Sequence, residues 1–349
     1  MEKNSAQHLQ TFTSPIAQPI TPSNYTNAFS TIRQGNVTNA LTKIRPRPSN
    51  TDVDAITGTT SVKQGDLAIF FPQLNDLQGL SPSTYRLLDA ITVALTESGA
   101  KSPLVTLTLE ELMQKCGHTD RKEARKQASA GLETLFNARI SYREKPRRGR
   151  KAASDDAVGY LDMRICEAKG ISRSGVITFK FGDTFFNLLK GYPVMPYPPQ
   201  LWKLNSNRNP NSYYLLRKIS EHKNMNAGKK NEDTISVKTL LEVAAALPSY
   251  EDVMNGNRNV RSRIIDPFER DMDALNDTLS WEYCHTNGIP LTDQEMESFD
   301  YSIFSALNIR IHWKEYPDQT ARLEAKAAKA ANAKPKATPR KRKTAGSEG

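Results

Sequence analysis

The stretch Asn259–Leu279, NVRSRIIDPFERDMDALNDTL, decides the fold. Its apolar residues Val260, Ile264, Ile265, Phe268, Met272, Leu275 and Leu279 recur at steps of three and four, which builds one apolar stripe on a helix. Arg258, Arg261, Arg263 and Arg270 fall mostly off that stripe, where they face water or a polyanion. A helix that buries one face and shows arginines on another suits the reading of a DNA major groove. Pro267 leaves two readings open: a kink in one helix, or a fresh helix start capped by Asp266.

A similar design lies earlier in the chain. Thr119 or Asp120 caps a helix at Arg121–Ala138, with Ala124, Ala128, Leu132, Leu135 and Phe136 as its stripe and Arg121, Lys122, Arg125 and Lys126 near its start. Upstream, Ser81-Pro82 opens a helix with Tyr85, Leu88, Ile91 or Thr92, and Leu95 inside, which stops at Ser98-Gly99. Leu104–Leu107 alternates as a short strand, and Thr108 caps a brief helix, Leu109–Cys116, closed by Gly117. Arg139–Arg143 and Val158–Glu167 read as strands joined by a basic loop, Glu144–Ala157, and Val176–Phe181 reads as a third strand. This is the order of a winged helix-turn-helix, with the loop as wing. Lys145, Arg147, Arg148, Arg150 and Lys151 of that loop would rest on phosphates, contacts that set register and not sequence.

The order then repeats. Asn209-Pro210 starts a helix, Pro210–His222, with Tyr213, Leu216 and Ile219 inward. Thr234–Val237 is extended, Val237–Ala246 is helical, and Pro248 ends it before the long helix and two strands, Leu279–Cys284 and Leu307–Trp313. Between the repeats, GYPVMPYPPQLW (Gly191–Trp202) holds four prolines, which forbid a regular helix or central strand. It reads as a stiff connection docked by Trp202 and Leu204. The expected fold class is α+β, a tandem of winged helix-turn-helix domains at residues 65–192 and 193–317. Residues 1–64, polar with isolated apolar residues, and the tail 318–349 are expected to be disordered.

The chain of 349 residues carries 48 Lys+Arg against 38 Asp+Glu, a net charge of +10. From Thr320 to Gly349 there are nine basic and two acidic residues, a net of +7, so the rest stands at only +3. Any strong field on the folded part must come from local patches, whereas the tail can hold phosphates without reading sequence. Cys116, Cys166 and Cys284 are far apart and suggest neither a disulfide framework nor a zinc site. No apolar run is long enough to span a membrane, and the N-terminus lacks a signal-peptide core, so a reduced, cytoplasmic setting is expected.

No catalytic motif stands out, and no enzyme, cofactor or metal is expected. A phosphate-binding loop is absent: Gly228-Lys229 has Lys223 where the first glycine should be. His8, His118, His222, His285 and His312 are scattered, so metal-dependent nicking through Tyr213-Tyr214 lacks a ligand pair. Tyr213, Tyr214, Tyr250, Trp281, Tyr283 and Trp313 read as core or interface residues rather than base-stacking platforms.

These residues resemble the iteron-binding plasmid replication initiators, which carry two winged-helix domains. The resemblance covers about Leu67–Trp313. It rests on NPNSYYLLRKISEH and NVRSRIIDPFERDMDALN in the second unit, and on LSPSTYRLLDAI and the basic loop in the first. It implies double-stranded DNA as ligand, with the second head reading a repeated origin sequence through Arg258, Arg261, Arg263 and Arg270. The first head would contact neighbouring backbone and could form a homodimer. Host helicase and other replication proteins would be recruited by protein contacts, without intrinsic catalysis. Two other readings stay open: a winged-helix transcriptional regulator using the same heads, and a nucleoid or RNA-binding protein relying on its tail.

Overall fold

The computed structural model describes residues 29–44, 50–72, 80–143, 160–244, 246–256, 258–292, 294–295, 300–320 and 323–324. By contacts the chain divides into Met1–Pro317 and Asp318–Gly349. In the second unit, Thr320 donates its backbone N–H and its hydroxyl to Asp318, and Leu323 N–H bonds the Gln319 carbonyl. Everything below concerns the first.

Strand β1 (Ser30–Arg33) leads into helix α1 (Asn36–Lys43), then β2 (Thr51–Val53), β3 (Thr60–Gln64) and β4 (Leu67–Phe71). Helix α2 (Pro82–Glu97) begins behind Ser81, whose hydroxyl accepts from Thr84 N–H, with proline at the first helical position as expected. Strand β5 (Leu104–Thr108), α3 (Leu109–Cys116) and α4 (Arg121–Asn137) follow, then β6 (Arg139–Arg143), β7 (Tyr160–Arg164), β8 (Cys166–Ile171) and β9 (Val176–Phe181). Helix α5 (Asp183–Gly191), β10 (Val194–Tyr197) and the short α6 (Gln200–Lys203) form the connection. The second repeat comprises α7 (Ser212–Asn226), β11 (Thr234–Ser236), α8 (Val237–Leu241), α9 (Tyr250–Asn255), a π-helical turn (Arg261–Ile265), α10 (Asp266–Asp273), β12 (Leu279–Cys284), α11 (Tyr301–Ala306) and β13 (Asn308–Trp313).

Two antiparallel three-stranded sheets share one topology, β5-β9-β8 and β11-β13-β12. In each, the first strand pairs with the last, and helices follow the first strand: α3 and α4 after β5, and α8, α9 and α10 after β11. The fold is therefore mixed α and β with two winged helices, as the sequence pattern leads one to expect.

One expectation is corrected here. Strands β6 and β7 pair with each other but belong to a separate five-stranded sheet, β2-β3-β4-β6-β7, so the basic segment between them is not the wing of the first winged helix. The cause is burial. Val62, Ile69, Ile140 and Met163 stand in one cross-strand row and are all buried, a row that β6 completes only beside β4. The wing is instead the turn between β8 and β9, Ser172–Gly175. Lys145, Arg147, Arg148, Arg150 and Lys151 lie outside the described residues.

The N-terminal expectation is corrected as well. Within residues 1–64, the described part forms β1, α1, β2 and β3. Ile32, Val37, Leu41, Ile44 and Val62 have no periodic run of their own, yet each is at most 1% exposed because elements far along the chain cover them. Burying such a side chain contributes roughly 1.5–3 kcal/mol, enough to order a segment that cannot form a core alone.

In the proline-rich connection, Val194–Tyr197 pairs, among the described residues, only with β1, a two-stranded ribbon that tolerates Pro196. Trp202 and Leu204 are buried, so they dock it as expected. No helix of the described residues is long and apolar enough to cross a membrane.

Candidate nucleic-acid interface

In the first winged helix, α3 is capped at both ends. Thr108 and Glu111 exchange hydrogen bonds in a capping box, and Gly117 closes the helix at φ +67°. Asp120 then caps α4 by accepting from the N–H groups of Lys122 and Glu123. Ala124, Ala128, Leu132 and Leu135 face the core, and Gly131 lets Leu87 of α2 approach closely. Four of the five residues of the expected stripe are buried, and Phe136 is partly buried.

The four basic residues near the start of α4 divide into two pairs. Arg121 Nη2 is 2.9 Å from Glu110 and donates to the Ser174 carbonyl at 3.0 Å. Arg125 Nη2 donates to the Ile171 carbonyl at 3.3 Å. Both arginines thus hold the backbone of the wing. Lys122 and Lys126, one helical turn apart, are exposed, and neither has a carboxylate within ion-pair distance among the described residues.

The wing turn adds a residue that the sequence reading missed. Arg173 stands exposed in the turn Ser172-Arg173-Ser174-Gly175, between the strand ends paired through Ile171 and Ile177. Gly175 has φ +94°, and a Cβ there would come within 3.0 Å of Arg121 Nη2, so the turn needs glycine. The signal was present as Ser-Gly between two alternating runs, but the richer charge of the neighbouring loop drew the assignment away.

In the second winged helix, Ser236 caps α8, and Ser249 forms a capping box with Asp252 at α9. The chain then turns through Arg258 at φ +59° into the π turn. The Asp266 N–H reaches back to the Arg261 carbonyl, and helical backbone angles run unbroken from Val260 into α10. Pro267 stands in the first turn of α10, directly behind the π turn, with Ile265 rather than Asp266 at the cap position. The wider turn makes room for a proline ring that offers no N–H and would crowd the carbonyl four residues back. Ile264, Ile265, Phe268, Met272, Leu275 and Leu279 are all buried, as the stripe requires.

Arg258, Arg261 and Arg263 are exposed ahead of the proline. Arg261 lies 3.4 Å from Asp266, with both side chains more than half exposed, whereas Arg258 and Arg263 have no carboxylate partner among the described residues. Arg270 is differently placed. Its Nε and Nη2 both donate to Asp271 Oδ1, at 3.1 and 3.0 Å. Asp271 is fully buried, and its other oxygen accepts from the backbone N–H and the side-chain amide of Asn211, while Ser212 donates to its carbonyl. This network fixes the start of α7 against α10. Gln200 of the connection donates to the Ala274 carbonyl at the end of the same helix.

The aromatic residues have structural partners. Tyr283 donates to Glu269 at 3.0 Å and Trp281 to Asp273 at 3.1 Å; Tyr250 stacks on Tyr301, with ring centroids 4.3 Å apart. Burial pushes the Glu269 carboxyl above its ordinary range, despite the Tyr283 hydroxyl that favours its charge. Tyr213 and Tyr214 are buried. Among the described residues no group of three or more His, Cys, Asp or Glu side chains is placed to hold a metal ion.

No family model matches the chain, and no curated protein matches it. Solved structures do. One is the WH1 domain of MSBI1.176, described as a replication protein isolated from a multiple sclerosis patient: 18% identity over 33% of this chain and 84% of that one, TM-score 0.25. Two others are crystal structures of domains 2 and 3 of RctB. One shares 13% identity over 78% of this chain and 97% of that one, TM-score 0.41; the other 12% over 83% and 99%, TM-score 0.38.

Proposed function

We propose that the chain is a sequence-specific double-stranded DNA-binding protein that initiates replication of a plasmid or related mobile element. The observation that carries this reading is the helix Val260–Asp273: one face is sealed into the core while Arg261 and Arg263 stand exposed one turn before the proline. Arginines there suit bidentate contact with guanine in a major groove. Arg258 and Arg270 flank them, the latter oriented by Asp271. In the first winged helix, Lys122, Lys126 and Arg173 are the cations placed for phosphate contact, and the basic segment at Lys145–Lys151 adds to the field.

The further steps follow from the sequence resemblance. The DNA carries repeated origin sites, the first domain supports a homodimer, and host helicase and other replication proteins join by protein contacts in the cytoplasm. The chain itself performs no catalysis and needs no cofactor.

The test is selection of bound duplexes from a random pool at physiological salt, comparing the natural chain with Arg261→Ala/Arg263→Ala. A defined motif, lost or relaxed in the variant and found in tandem copies beside the encoding gene, is expected. No enriched motif, with both chains binding alike, would refute sequence reading, and hydrolysis of ATP or DNA nicking abolished by one point change would refute the non-catalytic part.

A further inference from the structure

Helix α1 ends on a lysine that meets another lysine. Lys43 is its last residue, and the neighbouring Leu41 and Ile44 are each at most 1% exposed. That end of the helix is fixed. The Tyr85 hydroxyl donates to the Leu41 carbonyl at 3.0 Å, and the Ile44 N–H donates to the same carbonyl at 3.3 Å. Lys43 itself is half-buried. Its amine comes within hydrogen-bonding reach of the Lys218 amine on α7.

Lys218 already has a partner. Its Nζ lies 3.1 Å from Glu221, one turn on, with the two side chains 12% and 8% exposed. Arg217 and Ile219 on either side of it are buried. Among the described residues the charged groups that face Lys43 are Lys218 and Glu221 of α7 and Glu242 directly behind α8.

An ammonium has three donors and no acceptor. Two ammoniums therefore cannot hydrogen-bond each other, and in a half-buried site their repulsion is poorly screened. One of the two nitrogens has to carry a lone pair. Lys218 keeps its charge against Glu221, so the free amine is Lys43. Burial first, and then the Lys218 charge, pull Lys43 below the ordinary lysine range; Glu221 and Glu242 pull the other way without cancelling this.

An ordinary lysine is a free amine in roughly one molecule per thousand just above neutral pH. A desolvated lysine beside another cationic group is activated as a nucleophile. The neighbouring cation also selects the reagent, because it can hold an anionic group while the amine attacks the carbon next to it.

We propose that Lys43 is an acylation site whose donor is an acyl phosphate, with Lys218 as the positioning residue. The Lys43 lone pair attacks the carbonyl carbon, a C–N bond forms, and the bond from that carbon to the phosphate oxygen breaks. Phosphate leaves with the bonding electrons, and the proton released from nitrogen passes to water. The products are an N-acyl lysine and inorganic phosphate. The step is independent of DNA reading. It permanently removes a charge where α1 packs on α7 of the second winged helix.

The experiment treats the full chain with acetyl phosphate at about pH 7.5 and follows each lysine by mass-spectrometric peptide mapping. Lys43 is expected to be acetylated at least about fivefold faster than the exposed Lys122 and Lys126. Its rate should rise at lower pH in the folded chain than in the same chain unfolded in urea. Lys218→Met removes the cation and leaves Glu221 unpaired, so it should slow Lys43 at least about fivefold and move its pH–rate curve upward. Lys218→Arg keeps the cation and should keep the preference. Thermal unfolding checks that both variants are folded; if Lys218→Met is not, the folded and urea-unfolded natural chains decide.

Three results would each overturn the proposal: Lys43 reacting no faster than Lys122 and Lys126, a pH–rate curve unchanged on unfolding, or folded Lys218→Met reacting as the natural chain does.

Discussion

Arg121 Nη2 donates to the Ser174 carbonyl at 3.0 Å, so the first residue of α4 braces the wing beside it. Arg125 does the same one turn later through the Ile171 carbonyl. These two arginines are positioning residues, whereas Lys122, Lys126 and Arg173 are exposed and, in the proposed function, face the phosphates. Arg173→Ala and Lys126→Ala are therefore expected to weaken DNA binding about equally on specific and random duplexes. Each should reduce the dependence of log affinity on log salt by about one unit, measured by titration over a range of ionic strength.

Gly175→Ala tests the wing turn itself. A backbone at φ +94° with an arginine nitrogen in the path of a new Cβ should destabilise the chain by about 1 kcal/mol or more. Urea unfolding reads this directly. The same variant should lower DNA affinity even where the chain remains folded, because Arg121 is displaced with the turn.

Arg261→Ala and Arg263→Ala should separate binding from folding. Both side chains are exposed, so stability should change by no more than about 0.5 kcal/mol. Loss of a bidentate base contact should cost about 1–3 kcal/mol of discrimination against the wrong base. Thermal unfolding and competition between matched and mismatched duplexes check the two halves.

Arg217→Met alone leaves the Asp89 carboxylate without its cation in a sealed site and should destabilise by about 3–5 kcal/mol. Desolvation opposes the Arg217 charge, but Asp89, Tyr213, Tyr197 and Glu221 together outweigh it and raise the arginine pKa, while burial pushes the Asp89 carboxyl up. The paired change Asp89→Asn/Arg217→Met should recover a large part of that loss. Denaturant titration of the three chains gives the comparison.

Glu269 predicts a pH dependence. Its pKa is raised chiefly by burial, so the folded chain holds the proton more tightly than the unfolded one. The contribution is therefore complete below the ordinary carboxylate pKa and is lost as pH rises through the raised value. Glu269→Gln should remove that loss, so its melting temperature should gain on the natural chain as pH rises above the ordinary carboxylate range. An unchanged difference over that rise would refute the assignment.

The sequence made the helices legible where one face repeats every three to four residues and a capping residue stands in front. Asp120 before α4, Thr108 before α3 and the Ile264–Leu279 stripe all behave as local rules require. What stayed hidden was pairing between distant segments. Strand β6 could have closed a wing or extended β4, and only the buried row from Val62 to Met163 decides. Ile32, Leu41 and Ile44 read as solvated because their partners lie elsewhere in the chain. The interface showed a similar division: charge marked Arg121 and Arg125, but only the wing carbonyls beside them assign a bracing role.

The π turn at Arg261–Ile265 has an evolutionary consequence. A turn of this width is where a helix has absorbed one surplus residue. Gaining or losing a residue there would swing Arg261 by about 100° relative to Phe268 and Met272. Arg258 and Arg261 thus stand ahead of the seam, with Phe268 and Met272 behind it. A lineage of such proteins could change the sequence it reads by altering length at that point, while the core behind Pro267 stays as it is.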